Sequence, residues 1–306
     1  MLDIVGKRYL FFGISLLVII PGLIALIIWG MPLAIDFTGG SLLEVKFESG
    51  TAPVPQQVRD LYTKYGVTDS IVQTSGSDII IIRSKTMPDT TKAAIVNEMG
   101  TTFDSKITIR RFESVGPAVG AEVARQAALA VLIAAVFITL YITFAFRGVP
   151  HAFRYGMSAV IAMFHDIAVV VGIEALIGHF LGWEADSLFL TALLTVIGFS
   201  VHDTIVVFDR IRENAKIYRQ VPYETLVNHS IVQTLDRSIN TQLTVLITLF
   251  ALVLMGGATI RHFVTILLIG VFSGTYSSIF NAASILVVWE NKEWRNWFGR
   301  GKTALA

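Results

Sequence analysis

Residues 191–208 read TALLTVIGFSVHDTIVVF, an apolar run of helical length that contains the acidic residue Asp203. A carboxylate near the middle of a bilayer costs a few kcal/mol even on lenient insertion scales, so Asp203 needs a partner or a function. The pattern His-Asp-x-x-Val-Val occurs twice in this chain, at residues 165–170 and 202–207. Two His-Asp pairs within apolar runs suggest proton movement.

The composition indicates an integral membrane protein. Of the 306 residues, 54% are hydrophobic and only 15% are charged, and the mean hydropathy is +0.66, outside the range of ordinary globular domains. The chain has no cysteine, which excludes disulfides and thiolate metal sites. A net charge of +1 gives no support for nucleic-acid binding.

Six largely uncharged runs are long enough to cross about 30 Å of bilayer hydrocarbon as helices. They lie at residues 9–29, 127–146, 155–177, 187–208, 238–260 and 263–289. The third is the weakest because it carries three ionisable residues, and we interpret one of them, Glu174, as interfacial. A tight turn containing Gly256, Gly257, Arg261 and His262 is expected between the last two spans.

The distribution of basic residues predicts the orientation of the spans. With the N-terminus inside, the cytoplasmic segments carry Lys7, Arg8, Arg147, Arg154, Arg210, Arg212, Lys216, Arg219, Arg237, Lys292, Arg295, Arg300 and Lys302. The two short outer loops, at 178–186 and 256–262, carry only Arg261. Both termini are therefore expected in the cytoplasm, with the first span as an uncleaved anchor.

A polar insertion at residues 31–125 separates the first two spans. Its pattern predicts strands at 41–48, 67–74, 78–83 and 105–112 and helices at 55–65 and 88–99. The order βαββαβ is that of the ferredoxin-like split motif. We therefore predict an α-helical integral membrane protein, in which six transmembrane helices accompany one small α+β ferredoxin-like extracytoplasmic domain.

The predicted domain boundaries follow from these elements. Residues 1–30 form the cytoplasmic N-terminus and first transmembrane helix, and residues 126–290 form the other five helices. A cytoplasmic loop at about 210–236 is expected to lie on the membrane surface as a short amphipathic helix or to contact a partner. Residues 291–306 form a cytoplasmic tail.

In the outer domain we find no paired carboxylates that demand catalysis, so we expect binding or force transmission rather than enzymatic activity.

The segment Asp36-Phe37-Thr38-Gly39-Gly40 joins the first span to the outer domain. Its paired glycines are compatible with a tight backbone path or a hinge. A simple turn is the alternative interpretation.

Several motifs along the whole chain resemble the SecD/SecF family of bacterial protein-export membrane proteins, within the resistance-nodulation-division superfamily. They are the segment 36–40 just described, VGP at 115–117 with Gly120, FRG at 146–148, GFSVHDTIVVFDRIREN at 198–214, RSINT at 237–241 and YSSIF at 276–280. Each motif is weak alone, but their order and their placement on the six spans make the joint signal strong.

The resemblance implies a role in moving secretory proteins across the bacterial cytoplasmic (inner) membrane with the proton-motive force. The partners it implies are a separate six-span SecD, the SecYEG translocon, YajC and YidC, the translocating polypeptide and membrane lipids. It implies no cofactor beyond the coupling ion, which is a proton unless Na⁺ replaces it. The family's membrane-embedded acid falls on Asp203 and its associated basic residue on Arg237. The chain departs from the family at His202, where many relatives are expected to carry Asn.

The residues around Asp203 indicate the same site without the resemblance. Asp203 has no charged neighbour within a helical turn on its own helix, so its partner is a proton or a group on another helix. Arg237 is long enough to approach it from the cytoplasmic edge, although it would serve equally as a positive-inside anchor paired with Asp236. His165 and Asp166 are expected at a depth similar to that of Asp203.

Alternatives remain open for the His-Asp pairs. They are compatible with a proton relay that includes His202, with a structural interhelical hydrogen bond, or with a metal or HD-type hydrolase site. We disfavour the last because no further ligands are evident.

At the level of the whole protein, the main hypothesis is that protonation of Asp203 alters helix packing and moves the outer domain against the emerging polypeptide. The competing hypotheses are a proton-driven small-molecule or lipid exporter of the same superfamily and a passive scaffold of the translocon.

Overall fold

The computed structural model describes residues 2–294, except the side chains of residues 258 and 259. Part of the predicted C-terminal tail, residues 295–306, lies outside the described residues. The helices are α1 (Arg8–Trp29), α2 (Ile35–Thr38), α3 (Pro55–Lys64), α4 (Asp89–Thr102), α5 (Pro117–Ala145), α6 (Ala152–Leu181), α7 (Ser187–Ile217), α8 (Tyr223–Met255), α9 (Ala258–Tyr276) and α10 (Ala283–Glu290). The strands are β1 (Gly40–Phe47), β2 (Ile71–Ser75), β3 (Ile79–Ser84) and β4 (Ile107–Val115).

The chain divides into two compact units, Leu33–Ala128 and the remainder. The first unit contains the predicted βαββαβ order, which is confirmed: the four strands pair antiparallel in the order β2-β3-β1-β4. Helices α3 and α4 bury their apolar sides against this sheet, with Tyr62, Ile95 and Met99 fully buried. The alternation along β3, in which Ile80 and Ile82 are buried, gives the sheet its apolar face.

Two strand boundaries in this unit differ from the prediction by more than two residues. Strand β2 begins at Ile71 rather than at residue 67, because Gly66 adopts a positive φ of 79° and the Val67 N–H bonds back to the Tyr62 carbonyl. Val67 therefore belongs to the C-terminal cap of α3. Strand β4 continues to Val115, since its pairing with β1 extends to Gly40.

The second unit contains six helices long and apolar enough to cross a membrane among the described residues. They are α1, α5, α6, α7, α8 and a continuous last helix in which a π-helical segment, Ser277–Ala282, joins α9 to α10. The predicted number of spans is confirmed. Helix α5 starts at Pro117, ahead of the predicted span, with proline in the first turn, where its missing N–H costs nothing.

The segment at about 210–236, which was predicted as a cytoplasmic loop, is almost entirely helical. Helix α7 continues to Ile217 and α8 begins at Tyr223, so only residues 218–222 connect them. The two helical extensions pack on each other, with Ile211, Val227 and Ile231 buried in a shared apolar cluster. Packing against a partner helix buries Ile211, whereas Ile217 and Tyr218 remain exposed.

The predicted turn between the last two spans is also shorter than expected. Gly256 and Gly257 alone separate α8 from α9, so that Arg261 and His262 belong to the first turns of α9. Glu174, which the sequence predicts to be interfacial, has a fully buried side chain and lies beside His262.

Helices α1 and α6 cross at paired glycines. A Cβ atom on Gly22 would lie 2.7 Å from the Gly172 Cα, and one on Gly172 would lie 2.8 Å from the Gly22 Cα. Small residues allow such close backbone approach between membrane helices. This contact fixes α6, the helix that carries Asp166.

Candidate functional site: buried carboxylates within the helix bundle

Asp166 lies in the middle of α6 and is saturated with hydrogen-bond donors. Its side chain is 1% exposed. Ser200 of α7 and Ser277 each donate to Oδ2 at 2.6 Å, and Ser273 of α9 donates to Oδ1 at 2.7 Å. His165 Nδ1 lies 3.1 Å from Oδ1. Hydroxyl donors from separate helical segments thus replace the hydration that a buried carboxylate loses.

The π-helical segment extends this polar cluster. Ser277, its first residue, contacts Asp166, and the next residue, Ser278, donates to the Ser200 carbonyl at 2.9 Å. The Ser278 hydroxyl also lies 2.9 Å from that of Thr204. A π-turn adds one residue to the helical repeat, which places successive serines where both can reach α7. Both serines therefore act as hydrogen-bond donors within the bundle.

Asp203 lies three residues beyond Ser200 on α7, and its side chain is buried, with the residue 4% exposed. Its side-chain hydrogen-bond donor among the described residues is Gln242 of α8, whose Nε2 lies 2.5 Å from Asp203 Oδ2. Gln242 Oε1 is buried and has no hydrogen-bond partner within residues 2–294. A carboxamide offers both donors and an acceptor, so Gln242 is able to pair with either protonation state of Asp203.

Arg237 was predicted to be the partner of Asp203, but the side chain of α8 that bonds to Asp203 is Gln242. The side chain that contacts Asp203 is five residues further along α8, about 7.5 Å along the helix axis. Arg237 is exposed and lines a polar cavity of about 300 Å³ with Val206, Asp209, Arg210, Glu213, Gln233 and Thr234. Across the described residues, the structure shows no ion pair for Arg237, whereas Asp209 pairs with Arg212.

His202 and His165 take different positions relative to the cluster. His202 is exposed on α7, away from the buried side that carries Asp203. His165 is half-buried beside Asp166, and its Nε2 is buried without a hydrogen-bond partner in the described part of the chain. The structure therefore places His165 at the Asp166 cluster and leaves His202 outside it.

A second carboxylate and histidine meet nearer the other end of α6. Glu174 is fully buried, and its Oε2 lies 3.0 Å from Nε2 of His262 on α9. Glu174 Oε1 has no hydrogen-bond partner among residues 2–294. The His262 ring packs against Trp183, with ring centroids 4.8 Å apart. Nowhere in the described chain do three His, Asp or Glu side chains group as metal ligands would.

The segment Asp36 to Gly40 forms a tight backbone path within the sheet unit. Residues 35–38 make a single helical turn, followed by Gly39 at φ +72° and Gly40 at φ +130°. A Cβ on Gly39 would lie 2.6 Å from the Pro117 Cα, and one on Gly40 would lie 2.7 Å from the Ser84 carbonyl oxygen. Both backbone conformation and space therefore require glycine here.

These features define a multi-pass membrane protein with a ferredoxin-like domain and ionisable residues sealed inside its helix bundle. The family described as "Protein export membrane protein SecD/SecF, C-terminal" matches residues 95–292, and the "SecD/SecF GG Motif" matches residues 24–51. The chain belongs to the SecD/SecF family of protein-export membrane proteins.

Similar proteins agree with this assignment. The chain is 59% identical to the protein translocase subunit SecF of Anaerolinea thermophila and 47% identical to that of Thermobaculum terrenum, in each case over 98% of both chains. It is 34% identical to the protein translocase subunit SecDF of Thermus thermophilus, over 86% of this chain and 35% of that one. The crystal structure of Thermus SecDF, described as a translocon-associated membrane protein, superposes with a TM-score of 0.80, at 32% identity, over 95% of this chain and 39% of that chain.

Gln242 was not predicted from the sequence as the partner of Asp203. A signal was present, because Gln242 is a polar residue within the predicted fifth span and follows Ser238 by one helical turn. Both residues are buried on the same side of α8. Arg237 was predicted instead, because the family resemblance places the associated basic residue at that position.

Proposed function

We propose that this protein is the SecF-type component of a SecD/SecF assembly that helps secretory polypeptides cross the bacterial cytoplasmic membrane. Its similarity to SecF subunits over nearly their whole length supports this role. The Thermus SecDF chain is much longer, and this chain matches about a third of it. A separate SecD chain is therefore the expected partner, with the SecYEG translocon, YajC, YidC and the emerging polypeptide as further contacts.

The proposed orientation places both termini in the cytoplasm and the ferredoxin-like domain outside. The asymmetry of Lys and Arg between the short connections supports it. In this orientation, the cavity lined by Arg237 opens at the cytoplasmic ends of α7 and α8. The domain at residues 33–128 then faces polypeptide that emerges on the outer side.

The observation that carries the proposal is the buried contact between Asp203 and Gln242. When Asp203 is ionised, it accepts a hydrogen bond from Gln242 Nε2. When Asp203 is protonated, its O–H donates to the unpartnered Gln242 Oε1 after the amide rotates. Uptake of a proton thus reverses the direction of the hydrogen bond between α7 and α8.

The proton-motive force is sufficient in scale to drive such a change. Moving one elementary charge through the membrane potential releases about 2.3 kcal/mol per 100 mV, and interhelical hydrogen bonds are typically worth about 0.6 kcal/mol in a membrane. One proton passing Asp203 therefore outweighs the contact that it rearranges. The coupling acts through α7 and α8 and reaches the outer domain through the helix bundle.

The test is gradient-dependent secretion of a reporter protein by membranes that carry Asp203→Asn, with assembly with SecD measured in parallel. Asparagine keeps the shape and the contact with Gln242 but does not ionise, so we expect normal assembly and loss of the response to the gradient. Asp60→Asn, an exposed carboxylate on α3, is the control and should respond normally. A normal response in Asp203→Asn would favour a passive scaffold.

A separate variant tests the place of Arg237. If Arg237 guides protons through the polar cavity rather than pairing with Asp203, Arg237→Gln should slow gradient-driven secretion without abolishing it. Arg219→Gln, an exposed basic residue in the connection between α7 and α8, provides the control. Equal loss in Arg237→Gln and Asp203→Asn would instead indicate that the two side chains act as a pair.

A further inference from the structure

We propose that Glu174 and His262 form a second proton-binding site, which passes protons between the surface at the C-terminal end of α6 and the interior of the bundle. The proposal rests on the proton-coupled function inferred above and extends it to the opposite side of the membrane. Glu174 lies eight residues, about 12 Å, beyond Asp166 on α6. Since α6 and α7 run antiparallel through a short connection, Asp203 lies on the other side of Asp166.

The different burial of the two side chains sets the order in which a proton from the surface reaches them. His262 is 17% exposed and Glu174 is 0% exposed, so a proton reaches the imidazole first and the carboxylate second. Trp183 covers the ring of His262, and tryptophan is typical of the membrane interface. The histidine therefore lies where the bundle meets the interface, and the carboxylate lies behind it.

The charge balance of the pair favours binding of one proton. With one proton bound, the pair is either a carboxylic acid beside a neutral imidazole or a carboxylate beside an imidazolium, and its net charge is zero. Without it, a carboxylate and a neutral imidazole leave a net charge of −1. An isolated net charge in apolar surroundings is unfavourable, and Glu174 Oε1 has no donor among the described residues to offset it.

Proton transfer through the pair needs no other group. A proton taken up at Nδ1 of His262 allows the proton on Nε2 to pass to Glu174 Oε2, 3.0 Å away. The imidazole returns to neutrality and the carboxylate becomes a carboxylic acid. Release follows the same atoms in reverse.

The other charged or titratable side chains at this end of the bundle do not replace His262. They are His179, stacked on Trp29, Glu184 and Asp186 in the connection between α6 and α7, and Arg261, which is exposed on α9. The Asp186 carboxylate accepts the N–H of Phe189 as the cap of α7. The last ten residues of α1 and of α8 carry no ionisable side chain.

Infrared spectroscopy of the whole protein in lipid vesicles tests the site directly. We expect a protonated-carboxyl band that follows the pH and disappears in Glu174→Gln but remains in Glu184→Gln. In His262→Gln the band should persist but its dependence on pH should change, because the charge beside the carboxyl is removed, whereas His179→Gln should leave it unchanged. A carboxyl spectrum unchanged in Glu174→Gln, or a titration unchanged in His262→Gln, would overturn the proposal.

Secretion measurements separate this proposal from the function on which it rests. Glu174→Gln and His262→Gln should each slow gradient-driven secretion about a hundredfold when the protein assembles normally, and the two controls should not. If Asp203→Asn abolishes the gradient response while Glu174→Gln and His262→Gln behave like the unmodified protein, the second site is refuted and the proposed function stands. If Asp203→Asn has no effect, the proposed function fails, and the infrared titration still decides whether the pair binds a proton. Glutamine at position 174 retains a hydrogen bond to His262, so a merely structural contact would predict normal secretion.

Discussion

Asp166 and Asp203 occur in the same short pattern, His-Asp-x-x-Val-Val, yet their surroundings differ. Asp166 accepts hydrogen bonds from three hydroxyl groups, those of Ser200, Ser273 and Ser277. Asp203 accepts one from an amide, Gln242, whose own oxygen is unpartnered among the described residues. The two carboxylates are equally hidden from solvent, and they differ in the number and kind of donors that face them.

The same His-Asp-x-x-Val-Val pattern therefore does not give the two aspartates the same role. A carboxylate surrounded by three donors is held in one arrangement, because gaining a proton would weaken several hydrogen bonds at once. A carboxylate that faces one amide, which is able either to donate or to accept a hydrogen bond, exchanges its proton at little structural cost. We therefore interpret Asp166 as the fixed centre of the bundle and Asp203 as its exchangeable site.

The largest effect should come from exchanging the two acids separately for asparagine. Asp166→Asn presents an N–H₂ donor to a ring of donors, and we expect it to lower the free energy of unfolding by about 3 kcal/mol. Asp203→Asn should change it by less than about 1 kcal/mol, since its amide still pairs with Gln242. Denaturant unfolding in detergent measures both. Equal destabilisation by the two variants would remove the distinction.

A smaller effect is expected at the crossing of α1 and α6. Gly172→Val places a side chain against the Gly22 backbone and should destabilise the bundle by about 2 kcal/mol, displacing the helix that carries Asp166. Gly198→Val is the control on α7, because a Cβ at that position meets no atom within 4 Å. Thermal unfolding compares the variants. If both lose the same stability, helix propensity rather than the close crossing is responsible.

Removing one donor from Asp166 should have a still smaller effect. Ser277→Ala deletes a hydrogen bond to a charged group and should cost about 1.5 kcal/mol. Ser284→Ala is the matched control, since the Ser284 hydroxyl is buried without a hydrogen-bond partner among the described residues. We expect that control to be neutral or stabilising in the same unfolding measurement. A cost equal to that of Ser277→Ala would mean that Asp166 does not depend on its donors.

The smallest effect concerns a half-buried carboxylate in the domain at residues 33–128, which serves as a reference for the two fully buried ones. Hydrogen bonds from Lys64 and Tyr65 lower the pKa of Glu98 below its ordinary value of 4.5. Because the folded-state pKa is depressed, this stabilisation is present above about pH 4.5 and is lost as the pH falls through the folded-state pKa. Hydrogen exchange in α4 should therefore be faster in Glu98→Gln than in the unmodified protein at neutral pH. The difference should vanish in acid, and a difference that grows in acid would contradict the assignment.

Much of the architecture was predictable because it follows from local patterns. Long apolar runs predicted six spans, and alternation with turn residues predicted the βαββαβ order. The paired glycines at residues 39 and 40 also carried a local signal, since positive φ values favour glycine. The extension of α7 and α8 at residues 210–236 was not predictable in this way, because its polar residues match both a surface loop and a packed helical hairpin.

The presence of ionisable residues inside membrane helices is predictable from the sequence, because hydrophobic length and charge are properties of the chain. The partners of those residues are not predictable in this way. Gln242, His262 and the donor serines belong to helices far away in sequence, and helix rotation and depth decide which of them meet Asp203, Glu174 or Asp166. Those quantities arise only when helices pack, through close glycine crossings and the π-helical segment. Only the packed helices therefore set which partners face each carboxylate.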